Sequence, residues 1–185
     1  MKFGEITLGG RFGGYEIYNK SADRMPQDLA TALPNVCNKD GWVYAPIWYW
    51  GTQLVNGVNH MLVCERVKDD IAQIVLVVIN IPFNSVGGQG ASLVSVTEQA
   101  DLYGDLKKAF DNEMKALCGV GYKAVAFMGE QIVKGTNYYI LVEGKVLYKD
   151  ALKPFAGIAE INLFNGEYAL IGIERLGGLG YAFTW

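Results

Sequence analysis

Histidine and cysteine are scarce in this chain of 185 residues, and their scarcity excludes several kinds of site. The single histidine, His60, cannot build a metal centre that needs several imidazole ligands. The three cysteines, Cys37, Cys64 and Cys118, are too few and too odd in number for a disulfide framework, and none belongs to a Cys-x-x-Cys pair. Nothing in the sequence places a cysteine beside His60 as a nucleophile beside its base. We therefore expect no catalytic residues, no metal, no cofactor and no enzymatic activity.

Basic residues do not predominate, and long apolar runs are missing. The chain has 16 basic and 19 acidic residues, so it lacks the basic surface that nucleic acid or an anionic membrane would require. The longest uninterrupted apolar run, 74–79, is far shorter than the roughly 20 residues of a membrane span. The start of the chain contains no apolar stretch typical of a signal peptide. We expect a soluble, cytoplasmic protein, or a secreted one if a leader has been removed, that binds neither nucleic acid nor membrane.

What the sequence does contain is an internal repeat with an offset of 78 residues. Residues 51–65 align with residues 129–143, and six of these 15 positions are identical. The same offset pairs further glycines and tyrosines outside this segment. Matches at one offset over much of a chain indicate two copies of one supersecondary unit. The glycine-rich stretch 84–91 is the best linker candidate, so we predict units at 1–86 and 87–185.

Each copy is predicted to contain one helix followed by four antiparallel strands. Apolar residues in 102–117 recur at three- and four-residue steps, which is typical of an amphipathic helix, and Asp101 is its expected cap. A weaker stripe in 29–36, capped by Asp23, predicts a first helix shortened by Pro34. Runs of β-branched and aromatic residues predict strands at 15–18, 42–55, 58–67, 71–81 and 92–98, and at 120–133, 136–148, 156–164 and 168–174. We predict an α+β fold of two tandem units, each a curved antiparallel sheet wrapped around one helix.

The segments that join the first two strands after each helix share a motif. Gln53-Leu-Val-Asn-Gly57 and Gln131-Ile-Val-Lys-Gly135 both fit Gln-x-Val-x-Gly. This motif resembles the first inhibitory hairpin of the cystatins, which inhibit papain-like cysteine proteases. The resemblance implies two tandem cystatin-like repeats, since the family fold is an antiparallel sheet gripping one helix. It also implies that both hairpins bind the protease through Gln53, Leu54, Val55, Asn56, Gly57, Gln131, Ile132, Val133, Lys134 and Gly135.

Two further parts of the cystatin wedge have partial counterparts. Leu8-Gly9-Gly10 is similar to the glycine-containing N-terminal trunk, so Gly9 and Gly10 would bind the protease. Pro82 and Phe83 are similar to the second hairpin, although its tryptophan is missing. The second copy has Leu163-Phe-Asn-Gly166 there, without proline. The resemblance implies a protein-binding module that inhibits a papain-like cysteine protease by inserting hairpin loops into its cleft.

The residue types of these loops suit such insertion. Glycine permits positive φ and close backbone approach, and valine adds apolar contact with little entropy to lose. The glutamine can hydrogen-bond within the hairpin and fix its shape, which lowers the ordering cost of binding.

Simpler interpretations of the same residues stay open. Gln-x-Val-x-Gly also suits a plain strand–turn–strand, and the N-terminal glycines suit a flexible segment. Trp48 and Trp50 are predicted to share a face and to pack in the core or between the repeats. An alternative function is a structural or assembly protein without inhibitory activity, including a homo-oligomer. A third is a small-ligand binder or enzyme that uses a concave sheet as its pocket.

Overall fold

The computed structural model describes residues 7–8, 15–148 and 151–178, and the chain divides into two compact units, 1–98 and 99–185. The first unit contains β1 (Thr7–Leu8), β2 (Tyr15–Ser21), α1 (Gln27–Cys37), β3 (Val43–Val55), β4 (Gly57–Lys68), β5 (Ile71–Ile81) and β6 (Ser92–Thr97). The second unit contains α2 (Gly104–Ala116), β7 (Gly121–Val133), β8 (Gly135–Tyr148), β9 (Ala151–Phe164) and β10 (Glu167–Gly178).

Strands that follow one another in sequence are neighbours in each sheet. The order is β1-β2-β3-β4-β5-β6 in the first unit and β10-β9-β8-β7 in the second. Every pair is antiparallel. Such local connectivity is the usual outcome when consecutive strands are joined by short turns. It brings alternate turns to the same end of each sheet.

The core of the first unit lies between α1 and one face of its sheet. From α1 come Leu29, Leu33 and Cys37, which are four residues apart and therefore lie on one side of the helix. They pack with strand residues Tyr49, Leu62, Cys64, Val75, Val77, Ile79 and Ile81. Burying a leucine or isoleucine fully stabilises the fold by about 1.5–3 kcal/mol, so this cluster fixes α1 on the sheet.

The second unit has a similar core between α2 and its own sheet. Phe110 and Met114 of α2 are buried, again four residues apart, and Leu102 precedes the helix. Their buried partners on β8 and β9 are Ile140, Val142, Ala159 and Ile161. In both units, therefore, residues on one side of the helix pack against alternate residues of the strands.

The predicted α+β fold class, two cystatin-like units, is wrong. The described part of the chain is mostly β, with ten strands and two α-helices. The prediction assumed that each sheet has one apolar face, covered by a helix. Instead, Leu62 and Val63 of β4 point to opposite faces and are both fully buried. In addition, α1 has 11 residues, about 16 Å, whereas β3 has 13 and is more than twice as long, so α1 covers only part of the length of β3.

Among the described residues, the first sheet has six strands and the second four, and one of the two additional strands, β2, has a counterpart segment that the first sheet itself uses. At the offset of 78 residues, the counterpart of β2 is 93–99, which overlaps β6. β6 pairs with β5 and so extends the first sheet. Within the described residues, β7 consequently pairs with β8 alone, whereas its counterpart β3 pairs with both β2 and β4.

Most predicted strands are confirmed, but the helix ends are not. β5 spans the predicted 71–81, and β3 and β7 begin one residue later than predicted. α1 follows Pro26 rather than Asp23, and α2 follows Tyr103 rather than Asp101. Pro34 does not end α1, because the Asn38 N–H still bonds to its carbonyl at 3.2 Å. Neither helix of the described chain is long and apolar enough to cross a membrane.

Candidate functional site

The two Gln-x-Val-x-Gly segments form the tips of the β3–β4 and β7–β8 hairpins. Val55 pairs with Gly57, and Val133 pairs with Gly135, so one residue separates the strands in each hairpin. Both glycines have positive φ, 113° and 93° respectively, where an L side chain is strained. The side chains before them are exposed, and Ile132 is the extreme at 84%. The tips are therefore tight turns that present their apolar residues to solvent.

Each tip lies against the turn that follows the third strand after the helix, at the same end of the sheet. A Cβ placed on Gly57 would be 2.7 Å from the carbonyl oxygen of Ile81 and 3.1 Å from the Cα of Pro82. A Cβ on Gly135 would collide with the carbonyl oxygen of Leu163. Only glycine therefore lets the backbones of the two turns approach this closely.

These adjacent turns define one surface in each unit. We call residues 54–57 with 82–86 the first turn end, and residues 132–135 with 163–166 the second turn end. Exposed apolar side chains occupy both, namely Leu54, Val55, Phe83 and Val86 in the first and Ile132, Val133 and Phe164 in the second. Grouped exposed apolar side chains are typical of interaction sites on soluble proteins.

Hydrogen-bonded amides fix the sheet behind the first turn end. Asn80 Nδ2 donates to Asn59 Oδ1 at 2.9 Å, and Asn59 Nδ2 donates to Gln53 Oε1 at 3.3 Å. The three residues lie directly opposite one another on β5, β4 and β3. The glutamine of the motif therefore bonds within its own hairpin, as its sequence position predicts.

A related row behind the second turn end includes a carboxylate. Asn162 Nδ2 donates to Asn137 Oδ1 at 2.5 Å, and Asn137 Nδ2 donates to Glu160 Oε1 at 2.7 Å. The motif's Gln131 accepts a hydrogen bond from the hydroxyl of Tyr139 at 3.1 Å. Both turn ends are thus held by side chains that reach across the strands.

The carboxyl group in that row, Glu160, has a raised pKa. Burial raises the pKa of Glu160, the hydrogen bond from Tyr139 opposes the rise, and the negative charge of Glu174 adds to it. Burial also raises the pKa of Tyr139. The charged form of Glu160 is therefore less stable in the folded protein than in water.

The structure brings together most of the sequence-predicted site residues within each unit. Pro82 and Phe83 are exposed and lie beside the first hairpin, in the loop after β5. Leu163 and Phe164 lie beside the second hairpin. Gly9 and Gly10 fall outside the described residues.

The asparagines that hold the turn ends and the exposed Val86 were not among the site residues predicted from the sequence. Asn59 and Asn137 are identical positions of the repeat, which was an available signal for them. Asn80 and Asn162 are 82 residues apart, so the offset of 78 does not align them. Only the strand register reveals that they serve the same purpose.

The remaining reactive residues are placed for packing. His60 is buried, its Nδ1 is 2.9 Å from the hydroxyl of Tyr49, and burial lowers its pKa. Cys37 and Cys64 are buried as well, and burial raises the pKa of the Cys37 thiol to about 11, which disfavours a thiolate. Within the described residues, no group of three or more His, Cys, Asp or Glu side chains is arranged to hold a metal ion.

In comparisons with known proteins, the chain matches no protein-family model, no curated protein and no solved structure. Since nothing identifies a family, the resemblance to the cystatins stays a prediction from the motif.

Proposed function

We propose that the chain is a protein-binding module whose contact surfaces are the two turn ends, and that its target is the active-site cleft of a papain-like cysteine protease. One observation carries this proposal. In each unit, a glycine-tipped hairpin and the neighbouring turn meet through their backbones and expose apolar side chains at one narrow end of a sheet.

Apolar side chains supply the attraction. Phe83 is 64% exposed and Ile132 is 84% exposed, so both have most of their surface left to bury. Complete burial of side chains of this size is worth about 1.5–3 kcal/mol each. A few such anchors at the centre of a contact account for most of the affinity of typical interfaces.

Preorganisation adds to this attraction. The amide rows at Asn59 and Asn137 hold the hairpins from behind, so little loop ordering remains to oppose binding. The close contacts at Gly57 and Gly135 fix each hairpin relative to its neighbouring turn. A rigid, narrow, apolar edge is suited to a cleft rather than to a flat surface.

The choice of protease class is supported by the Gln-x-Val-x-Gly motif at both tips. A wedge inhibitor needs no reactive group, because it fills the cleft and presents no cleavable bond to the catalytic thiolate. The described residues are consistent with that role, since the side chains at both turn ends offer contact area and hydrogen bonds.

The test is titration of papain activity with the protein and with single variants. Ile132→Glu should weaken inhibition through the second turn end, and Phe83→Glu should weaken inhibition through the first. Gly135 is unsuitable for substitution, since any Cβ there collides with Leu163 and would disturb the fold. The matched control is Ile71→Glu, an apolar residue that is 56% exposed at the opposite end of the first sheet, which should leave inhibition unchanged.

Papain activity that stays unchanged at micromolar protein would contradict the proposal. A stable oligomer that buries both turn ends would instead favour an assembly role.

A further inference from the structure

Three aromatic side chains are neighbours on the face of the second sheet that packs against α2. We call Phe127 of β7, Tyr138 of β8 and Tyr168 of β10 the aromatic row. The ring centroids of Phe127 and Tyr138 are 6.4 Å apart, and those of Tyr138 and Tyr168 are 6.3 Å apart. Phe127 lies directly opposite the core residue Ile140, and Tyr138 is two residues from it, so both share its face. The aromatic row thus extends this face from the core toward the second turn end.

The rings of the aromatic row are accessible, whereas their counterparts in the first unit are buried. Phe127 is 44% exposed, and Tyr138 and Tyr168 are partly exposed. At the repeat offset, Phe127 corresponds to Tyr49 and Tyr138 to His60, which are 4% and 8% exposed. Tyr168 packs partly against the core of the second unit, which holds that end of the row in place. The row is therefore a fixed surface that a partner can reach.

A carboxylate lies beside the aromatic row. Glu130 is exposed and lies directly opposite Tyr138 in the β7–β8 pair, so the two side chains are neighbours on one face. Burial raises the pKa of the Tyr138 hydroxyl, and the charges of Tyr168 and Glu130 add to the rise. The faces of aromatic rings are themselves electron-rich. A cation is therefore the group that the rings and the carboxylate attract together.

The first unit contains the same combination with its cation in place. The guanidinium carbon of Arg66 lies 4.2 Å from the centroid of the Trp42 ring, and Arg66 forms an ion pair with Glu98. Arginine suits such a place because its planar guanidinium stacks on a ring while its N–H groups bind a carboxylate. Tyr138 and Glu130 offer an arginine the same two contacts.

The spacing of the rings indicates the conformation of a segment that would carry such arginines. In an extended chain, alternate side chains point the same way and are about 6.4–6.8 Å apart. The ring spacings of 6.4 and 6.3 Å match this distance. A polyproline II helix repeats after three residues, about 9 Å, and does not match. Alternate residues of an extended segment would therefore meet successive rings.

We propose that the aromatic row binds an extended segment of a partner protein in which arginines occupy alternate positions. The guanidinium groups stack on Phe127, Tyr138 and Tyr168, and the one on Tyr138 also pairs with Glu130. None of these four residues belongs to a turn end, so the proposal does not depend on protease inhibition.

Two peptides of identical composition serve as probes, Thr-Arg-Thr-Arg-Thr-Arg-Thr and Thr-Thr-Arg-Arg-Arg-Thr-Thr. Threonine favours an extended chain, in which the alternating peptide presents three arginines on one side and the block peptide presents two. Binding to the full chain is followed by NMR titration of the ring signals of the aromatic row. The alternating peptide should bind about two- to fivefold more tightly, which corresponds to one exposed cation–π contact.

Single variants identify the groups that bind. Phe127→Leu keeps an apolar side chain but removes the ring, and it should weaken the alternating peptide about two- to fivefold. Glu130→Gln should weaken both peptides by up to about fivefold and reduce their sensitivity to salt. The control is Tyr103→Leu, which removes an exposed ring outside the aromatic row and should leave both affinities unchanged. Unchanged amide spectra elsewhere in the chain show that each variant is folded.

Equal affinities of the two peptides, or full binding by Phe127→Leu, would overturn the proposal. If neither peptide shifts the ring signals and these signals instead change with protein concentration, the aromatic row is an interface between copies of the chain and the proposed partner is wrong.

Discussion

Asn80 and Asn59 are joined by a side-chain hydrogen bond of 2.9 Å that crosses from β5 to β4 behind the first turn end. Asn59 passes the connection on to Gln53 of β3 at 3.3 Å. The sequence motif at the hairpin is thereby tied to a residue that lies just before the neighbouring turn, 82–86. We call these two hydrogen bonds the relay, and we expect the stability of the hairpin to depend on them.

The first prediction concerns that relay. Asn59→Ala leaves the amides of Asn80 and Gln53 without their partner and should lower the free energy of unfolding by about 1–3 kcal/mol. Asn84→Ala, at an exposed position of the following loop, should change it by less than about 0.5 kcal/mol. Urea denaturation of the two variants measures the difference, and equal losses would show that the relay contributes nothing.

The hairpins and most strands were predictable because their signals are local. The β-branched run 71–81 specifies β5, and Gly57 between two strand-like runs specifies the β3–β4 turn, without reference to the rest of the chain. The pairing of β6 with β5 follows the predicted order of four antiparallel strands. The repeat did not indicate that this segment, which lies at the offset position of β2, is used by the first sheet and not by the second.

The hydrophobic pattern was also not used to predict that residues on both faces of the sheet are buried. A run such as 61–64 is apolar throughout, which a one-sided sheet does not require, and this was the available sign that the α+β expectation was wrong. The candidate site was likewise predicted only in part. The motif located the hairpin tips, whereas the asparagines behind them became visible only through the register of three strands.

A second prediction compares alanine at two glycines with positive φ, one in open space and one at the first turn end. Gly87 has a φ of 62° and open space where a Cβ would be, so Gly87→Ala should cost about 1–2 kcal/mol through strain alone. Gly57 has a φ of 113°, outside the left-handed helical region, and its Cβ would be 2.7 Å from Ile81 O. Gly57→Ala should therefore cost about 1–3 kcal/mol more. Thermal and urea unfolding compare the two, and equal losses would contradict the close contact of the turns.

A third prediction follows from the buried histidine. Because the pKa of His60 is lowered by burial, the unfolded chain binds a proton more readily than the folded protein does. Stability should be complete above about pH 6.5 and should fall as the pH drops from there toward the lowered folded value.

The control for this effect is His60→Gln, which retains a polar partner for Tyr49 and does not titrate. Unfolding free energies between pH 7.5 and 5 should show a weaker pH dependence in the variant than in the wild type. An identical slope in both proteins would exclude His60 as the source.

A fourth prediction has the opposite sign. The folded pKa of Glu160 is raised, chiefly by burial, so its contribution to stability is present at low pH and is lost as the pH rises through that raised value. Glu160→Gln keeps an oxygen for Asn137 and removes the charge. It should be more stable than the wild type at pH 7 and should lose this advantage near pH 4.

The matched control is Glu167→Gln, an exposed carboxylate at the start of β10. Its substitution should change stability by less than about 0.5 kcal/mol at either pH. If Glu160→Gln lowers the free energy of unfolding as much at pH 7 as at pH 4, burial does not disfavour the charged form of Glu160.

The claim that the turn ends enter a protease cleft is tested most directly by titrating a fixed amount of papain with the full chain and measuring residual peptidase activity. We expect a decline to a plateau at a defined molar ratio. Ile71→Glu should match the wild type, and the double variant Phe83→Glu, Ile132→Glu should need a much higher concentration. Full papain activity at micromolar protein, or equal inhibition by the double variant, would contradict it.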